Sequence, residues 1–174
     1  MPKRNVIYLH SNFSAREIVF TALMTALVFI ATFVPHIPIP LGYAHLGDAV
    51  IFLAALLARR RSALMSACLG SALADLLGGF ALWVMPTLII KYGMVEVVCR
   101  LVPQGEAARR GRIVTALLLS SLWMALAYTL AGAVLYDGLT AALASTPGLL
   151  AEGVVNSIVA LLLLPALRGR FPRM

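Results

Sequence analysis

The stretch IVTALLLSSLWMALAYTLAGAVL, residues 113–135, runs for 23 positions without one Asp, Glu, Lys or Arg. A helix needs about 20 predominantly apolar residues to cross the hydrocarbon of a bilayer, so this run decides the medium in which the chain folds. Working outward, comparable runs occupy Ile18 to Val34, Tyr43 to Ala58, Ala63 to Phe80, Thr87 to Val102 and Leu149 to Leu167. The whole chain agrees: of 174 residues, 61% are hydrophobic and 12% charged, where soluble domains are about half apolar and a quarter charged. The expected fold is an all-α membrane protein with six transmembrane helices. It divides into a short cytoplasmic tail, residues 1–14, and a single six-helix domain, residues 15–174. The second and fourth runs are the shortest, each about 16 residues or ~24 Å, and their ends are expected to form cavity walls.

A net charge of +7 in a soluble protein points to nucleic acid. In a membrane protein the placement of the charges matters more than their sum. With a cytoplasmic N-terminus, the inner groups are Lys3, Arg4 and Arg16, then Arg59 to Arg61, then Arg100, Arg109, Arg110 and Arg112, and finally Arg168, Arg170 and Arg173. That places every basic residue except Lys91 inside, and the outward connections Pro35 to Gly42, Ala81 to Pro86 and Tyr136 to Gly148 carry none. Both termini are therefore expected in the cytoplasm of a multi-pass protein of the cell membrane, and nucleic acid is not an expected partner. The first run is long for a signal core, and it ends in Pro-His-Ile-Pro-Ile-Pro in place of a small-residue cleavage site; it reads as a span.

Polar residues inside such runs are the informative ones, since a charge near the bilayer centre costs about 2.5 to 3.5 kcal/mol unless it is paired or wet. Lys91 lies five residues past Pro86 and Asp75 five before Phe80, each roughly 7 Å below the outer surface. Their matching heights on consecutive helices predict an ion pair between them. Asp48 follows His45 at the start of the second helix, as a helix cap or a pocket group. Glu152 and Asn156, four apart, share one face on the first turns of the sixth. Asn156 equally suits a hydrogen bond between helices. Glu96, four before Arg100, is explained by an i,i+4 pair near the inner side.

Aromatics gather at the same outer level: Tyr43, Trp83 and Tyr136, with Tyr128 about two turns deeper. Trp and Tyr populate interfacial belts in many membrane proteins, and they equally stack on a flat ligand ring. His36 lies among Pro35, Pro38 and Pro40, a stiff extended segment suited to a lid.

Absences narrow the activity. The only lysines are Lys3 and Lys91, and neither follows a glycine-rich phosphate loop. HExxH, GxSxG and His/Cys metal clusters are missing too. Cys68 and Cys99 lie in apolar runs without CxxC spacing. The chain is not expected to be an enzyme or to hold a metal or cofactor. Active uptake then requires a partner that supplies energy, or an ion gradient coupled through Asp75 or Glu152.

Three ordered blocks are more specific. Ile37 to Leu57 (IPIPLGYAHLGDAVIFLAALL), Gly70 to Phe80 (GSALADLLGGF) and Pro86 to Lys91 (PTLIIK) together resemble the substrate-binding S components of energy-coupling-factor (ECF) transporters. The likeness is to the branch labelled riboflavin-type, which also holds proteins assigned to pyridoxine and hydroxymethylpyrimidine. The resemblance implies a small membrane protein that captures a vitamin outside the cell, working with one transmembrane coupling protein and two ATP-binding subunits. It implies a pocket formed by the outer loops and helices four to six, and a docking face on the first helix, where Ala22 and Ala26 match the family's AxxxA motif. Taken with the polar level above, the candidate substrate residues are Tyr43, His45, Asp48, Asp75, Trp83, Lys91, Tyr128, Glu152 and Asn156. The expected ligand is a pyridoxine- or hydroxymethylpyrimidine-like ring first and riboflavin second. The competing classes are an ion-coupled carrier working alone and a membrane assembly subunit without ligand.

Overall fold

The computed structural model describes residues 13–35, 37–102, 108–136 and 138–168. Residues 1–12 of the tail with Lys3 and Arg4, the lid residue His36, and the inner arginines Arg170 and Arg173 lie outside the described residues. Six helices of eleven or more residues are present among them: α1 (Ala15–Phe33), α2 (Gly47–Leu57), α3 (Arg60–Leu77), α4 (Val84–Leu101), α5 (Arg110–Leu135) and α6 (Leu139–Arg168). A two-stranded antiparallel hairpin, β1 (Ile37–Ile39) and β2 (Gly42–Ala44), joins α1 to α2, and a 3₁₀ turn over Ala81–Trp83 leads into α4.

Four segments are long and apolar enough to cross a membrane: Ala15–Phe33, Ala81–Leu101, Arg110–Leu135 and Leu139–Arg168. Leu23, Leu69, Leu118, Leu126, Leu130, Val134, Leu150 and Leu162 are exposed on the bundle exterior. A surface of that kind is stable against lipid and a liability in water. The other two helices differ. α3 carries Arg60, Arg61 and Asp75 within its 18 residues. α2 has only 11, about 16 Å of helix against a core of ~30 Å.

α2 is short because the bundle encloses it. Pairwise packing runs α1–α3–α4–α5–α6–α2 and back to α1, and α2 also touches α3 and α4. Asp48, Ala49, Ile51, Phe52, Leu53, Ala54 and Ala55 are all buried. A helix that is apolar all round belongs inside a protein, and with α2 at its centre the core collects Val28, Met94, Val95, Val98, Leu117 and Met124 from its neighbours.

Element boundaries correct the sequence reading in three places. Tyr43 and Ala44 belong to the hairpin, so α2 begins at Gly47 and Leu46, not Asp48, is its cap residue; α4 is longer than 16 residues, at 18. The segment after Tyr136, read as a loop up to Gly148, is helical from Leu139. Glu152 and Asn156 therefore sit in mid-helix and not on its first turns. Pro147 is tolerated there, as Pro is in packed membrane helices. The adjacent Ser145 and Thr146 hydroxyls donate to the carbonyls of Ala141 and Ala142.

At the arginine-rich end, α1 opens with a capping box: the Glu17 backbone N–H donates to Ser14 Oγ and the Ser14 N–H to Glu17 Oε2. Glu17 also holds Arg59 at 3.0 Å and Arg61 at 2.9 Å, which ties α1 to the α2–α3 connection. Glu96 pairs with Arg100 at 3.1 Å, as its spacing predicts, and with Arg60.

The deepest link is polar. Lys91 Nζ on α4 lies 2.5 Å from Asp48 Oδ1 on α2, and both side chains are essentially inaccessible. The expected Lys91–Asp75 pair is thus corrected. Asp48 on α2 is the carboxylate that reaches Lys91, and Asp75 accepts hydrogen bonds from the Tyr43 and Thr87 hydroxyls. Breaking a buried pair leaves a bare charge and costs about 3–5 kcal/mol, whereas removing both charges costs far less. Lys91→Met and Asp48→Asn should each lower the melting temperature and folded yield in detergent, and the double variant should recover most of the loss. Asp75→Asn combined with Lys91→Met should give no such recovery.

Close approach of α1 and α3 depends on Gly70. A Cβ there meets the Val28 side chain at 2.7 Å and the Thr25 carbonyl oxygen at 2.8 Å. Gly70→Leu should destabilise the fold by roughly 1–3 kcal/mol. Gly111→Ala, at a helical position with nothing within 4 Å, should not lower the melting temperature, since alanine is the better helix former.

Candidate functional site

At the end of the bundle opposite the arginines, the hairpin, the α3–α4 connection and the first half of α6 surround a pocket of about 530 Å³, counting its open mouth. Its walls include Ile39, Leu41, Tyr43, His45, Asp75, Phe80, Trp83, Thr87, Tyr128, Ser145, Leu149 and Glu152. Two aromatic groups line it. Tyr43 meets Phe80 at 5.0 Å and His45 at 5.7 Å between ring centroids, both tilted. Trp83 meets Tyr128 at 5.6 Å and Tyr136 at 6.1 Å, and its indole N–H donates to the Tyr136 hydroxyl at 3.2 Å. Trp83 is 7% exposed while Tyr136 is 46% exposed. Trp83 is therefore a wall of the pocket, and Tyr136, outside the lining, holds its indole from the surface.

A chain of hydroxyls converges on Asp75. Tyr43 donates to Oδ1 at 3.0 Å and Thr87 to Oδ2 at 2.5 Å. Thr87 has one hydroxyl proton, and it is committed to the carboxylate. The Tyr128 hydroxyl, 3.0 Å from Thr87, is therefore the donor in that contact. Burial and then the Asp75 carboxylate push the Tyr43 phenol well above its ordinary value, so Tyr43 stays a donor at any physiological pH.

Beneath the pocket a second network fixes its floor. Asn156 on α6 donates to the carbonyls of His45 at 2.8 Å and Glu152 at 2.9 Å, and accepts from the Ala49 N–H at 2.8 Å. All its hydrogen-bonding groups serve the junction of α6 with the start of α2, which is the interhelical role its sequence position allows. His45 Nδ1 accepts from the Gly47 N–H at 3.2 Å and lies 3.1 Å from Glu152 Oε1. Lys91 sits 5.3 Å over the Tyr128 ring while bound to Asp48, so it supports the wall from behind.

Of the nine residues singled out in the sequence, Tyr43, His45, Asp75, Trp83, Tyr128 and Glu152 line the pocket. Asp48, Lys91 and Asn156 are buried behind it. His45, Asp48 and Glu152 each bring one ligand atom within 4.8 Å of the others, a spacing that a cation can bridge, although Lys91 already occupies one oxygen of Asp48. Sequence reasoning missed Thr87, Phe80 and Ser145. Thr87 was within reach of it, being one helical turn before Lys91 on the same face. Ser145, which accepts from the Leu41 N–H at 3.0 Å and so ties α6 to the hairpin, was hidden by the reading of its segment as a loop.

Ala22 and Ala26 lie elsewhere. Both are exposed on α1, in a shallow apolar groove with Ile18, Thr25, Phe29, Met65 and Leu69 along the α1–α3 seam.

No curated protein matches the chain significantly. Residues 12–169, nearly its whole length, match the model of the family described as ECF-type riboflavin transporter, S component. A multi-pass apolar bundle with a pocket at one end accords with that match, and the family is one of transporter subunits and not of enzymes. The chain belongs to the ECF-type riboflavin transporter S-component family, as a vitamin-capture subunit of an energy-coupling-factor transporter.

Proposed function

We propose that the chain captures a small heteroaromatic vitamin or precursor in the pocket between the hairpin, α4, α5 and α6. A pyridoxine- or hydroxymethylpyrimidine-like ring is its first ligand and riboflavin its second. The observation that carries this reading is the pocket itself, where Trp83, Tyr128, Tyr43 and Phe80 provide aromatic faces around the polar groups of Asp75, Thr87, His45 and Glu152. Binding sites for flat, water-soluble rings combine such stacking surfaces with a few fixed hydrogen-bonding groups. Tyr43, His45, Asp75, Trp83, Tyr128 and Glu152 touch the ligand. Asp48, Lys91 and Asn156 hold the pocket floor. Calorimetry of purified protein against pyridoxine, hydroxymethylpyrimidine and riboflavin should detect binding, and Trp83→Ala and Tyr128→Ala should each weaken it by roughly tenfold. Failure of every compound to bind removes this ligand reading.

The proposed topology has six spans in the cell membrane, both termini cytoplasmic and the pocket facing out. Its support is the grouping of arginines at the other end of the bundle. In a background with Cys68 and Cys99 replaced by Ala, a membrane-impermeant thiol reagent applied to intact cells should label Thr140→Cys and spare Arg110→Cys. The opposite pattern reverses the topology.

Delivery is proposed to run through one coupling protein and two ATP-binding subunits, docked on α1. The support is the exposed small-residue pair Ala22 and Ala26 in an apolar groove, where a partner helix can approach closely. Ala22→Trp or Ala26→Trp should abolish co-purification with the coupling protein and ATP-driven uptake, while ligand affinity of the isolated chain stays within about twofold. Assembly surviving both substitutions excludes this face.

A further inference from the structure

The hydrogens that line the pocket are already committed. Among the described residues, five of its side chains carry a hydroxyl or an indole N–H: Tyr43, Trp83, Thr87, Tyr128 and Ser145. Tyr43 and Thr87 donate to Asp75, Tyr128 to Thr87, Trp83 to Tyr136 and Ser145 to the Ala141 carbonyl. The described lining includes no Lys, Arg, Asn or Gln. That leaves the His45 imidazole as its other donor-capable side chain, and Nδ1 of that ring is engaged with the Gly47 N–H and with Glu152.

Oxygen lone pairs are what the wall retains. The Tyr128 hydroxyl gives its hydrogen to Thr87 and makes no other hydrogen bond to a described residue, and a phenol oxygen in that position still accepts. Glu152 Oε1 lies 3.1 Å from His45 Nδ1. Whether the hydrogen shared in that contact sits on the carboxyl or on the imidazole, the second Glu152 oxygen is an acceptor. An aryl amine suits such a wall. Both its hydrogens donate, and its nitrogen lone pair is drawn into the ring, so it brings no acceptor of its own. An ether or carbonyl oxygen brings only lone pairs, and two acceptors in contact are both desolvated without a bond.

We propose that the pocket selects an amino-substituted heteroaromatic ring, whose N–H hydrogens are accepted by the Tyr128 hydroxyl oxygen and the Glu152 carboxyl, and rejects rings that meet those groups with ether or carbonyl oxygens. The inference rests on the vitamin-capture reading and names the substrate class of that pocket. The probes are hydroxymethylpyrimidine in its amino form and the counterparts with methylamino or methoxy in place of the amine. The last two match in size and differ in an N–H against an oxygen. Titration calorimetry at mildly alkaline pH, where all three rings are neutral, should rank methylamino above methoxy by on the order of tenfold or more, the combined effect of one buried hydrogen bond and two opposed acceptors. Where the added methyl excludes both, the amino form is compared with the ring carrying hydrogen in its place, over which it should win by the same factor. Tyr128→Phe and Glu152→Met each remove an acceptor and keep the bulk, and should shrink the ratio toward one. If one variant fails to fold the other is read, and the wild-type ranking decides where neither folds. Equal affinity within the compared pair, an unchanged ratio in the folded variants, or binding of riboflavin or pyridoxine with none of the pyrimidines overturns the amine selection and leaves vitamin capture standing. Failure of every compound, riboflavin and pyridoxine included, overturns both.

Discussion

The ion pair between Lys91 and Asp48 is the constraint on which the rest of the architecture depends. Neither charge tolerates hydrocarbon alone, and burying the pair is economical only if α2 and α4 hold it in fixed geometry. That requirement puts the start of an 11-residue helix inside the bundle, with four longer helices packed against it. An apolar helix too short to span is then no anomaly, since its surroundings are protein. The N-terminus of α2 comes to rest at the pocket floor, where Asn156 and the His45–Glu152 contact tie it to α6.

From that floor the pocket is built outward by groups that constrain one another. Tyr43 and Thr87 are held by Asp75, Tyr128 by Thr87, and Trp83 by Tyr136. Each hydroxyl has its proton assigned by the carboxylate at the end of the chain. Preorganisation of this kind reduces the ordering cost of binding. The hairpin is joined to α6 through Leu41 and Ser145, so the segment over the pocket is attached on a side remote in sequence. Ala22 and Ala26 occupy the outer surface of α1 along the α1–α3 seam, and no lining residue of the pocket comes from either face of that groove. Substitutions on the groove and in the pocket can therefore be read separately.

The charge distribution divides the molecule in two. At one end Glu17 and Glu96 each engage two arginines in partly exposed clusters, where water and lipid headgroups screen the interaction. At the other, Asp48 pairs with Lys91 and Glu152 meets His45 in a buried space. The first arrangement ties α1, α3 and α4 together at their arginine-rich ends.

The sequence by itself determined the medium, the helical class, the level at which polar side chains collect and, through three ordered blocks, the family. These follow from local properties: run length, hydropathy and the position of each residue along its own helix. Height along a helix says nothing about azimuth or about which helices are neighbours, and the misassigned partner of Lys91 shows the consequence. Asp75 and Lys91 have matching heights on consecutive helices, yet it is α2 that supplies the partner, Asp48. Trp83 was equally ambiguous, because an interfacial belt and a ligand wall demand the same residue at the same depth; only its contact with Tyr128 separates them. The stretch from Leu139 to Gly148 carries Ser, Thr, Pro and Gly, which locally favour a loop. Packing against α5 and the hairpin keeps it helical, and so brings Ser145 to the pocket. Pairing and burial were thus decided by tertiary structure, because each depends on residues brought together from distant parts of the chain.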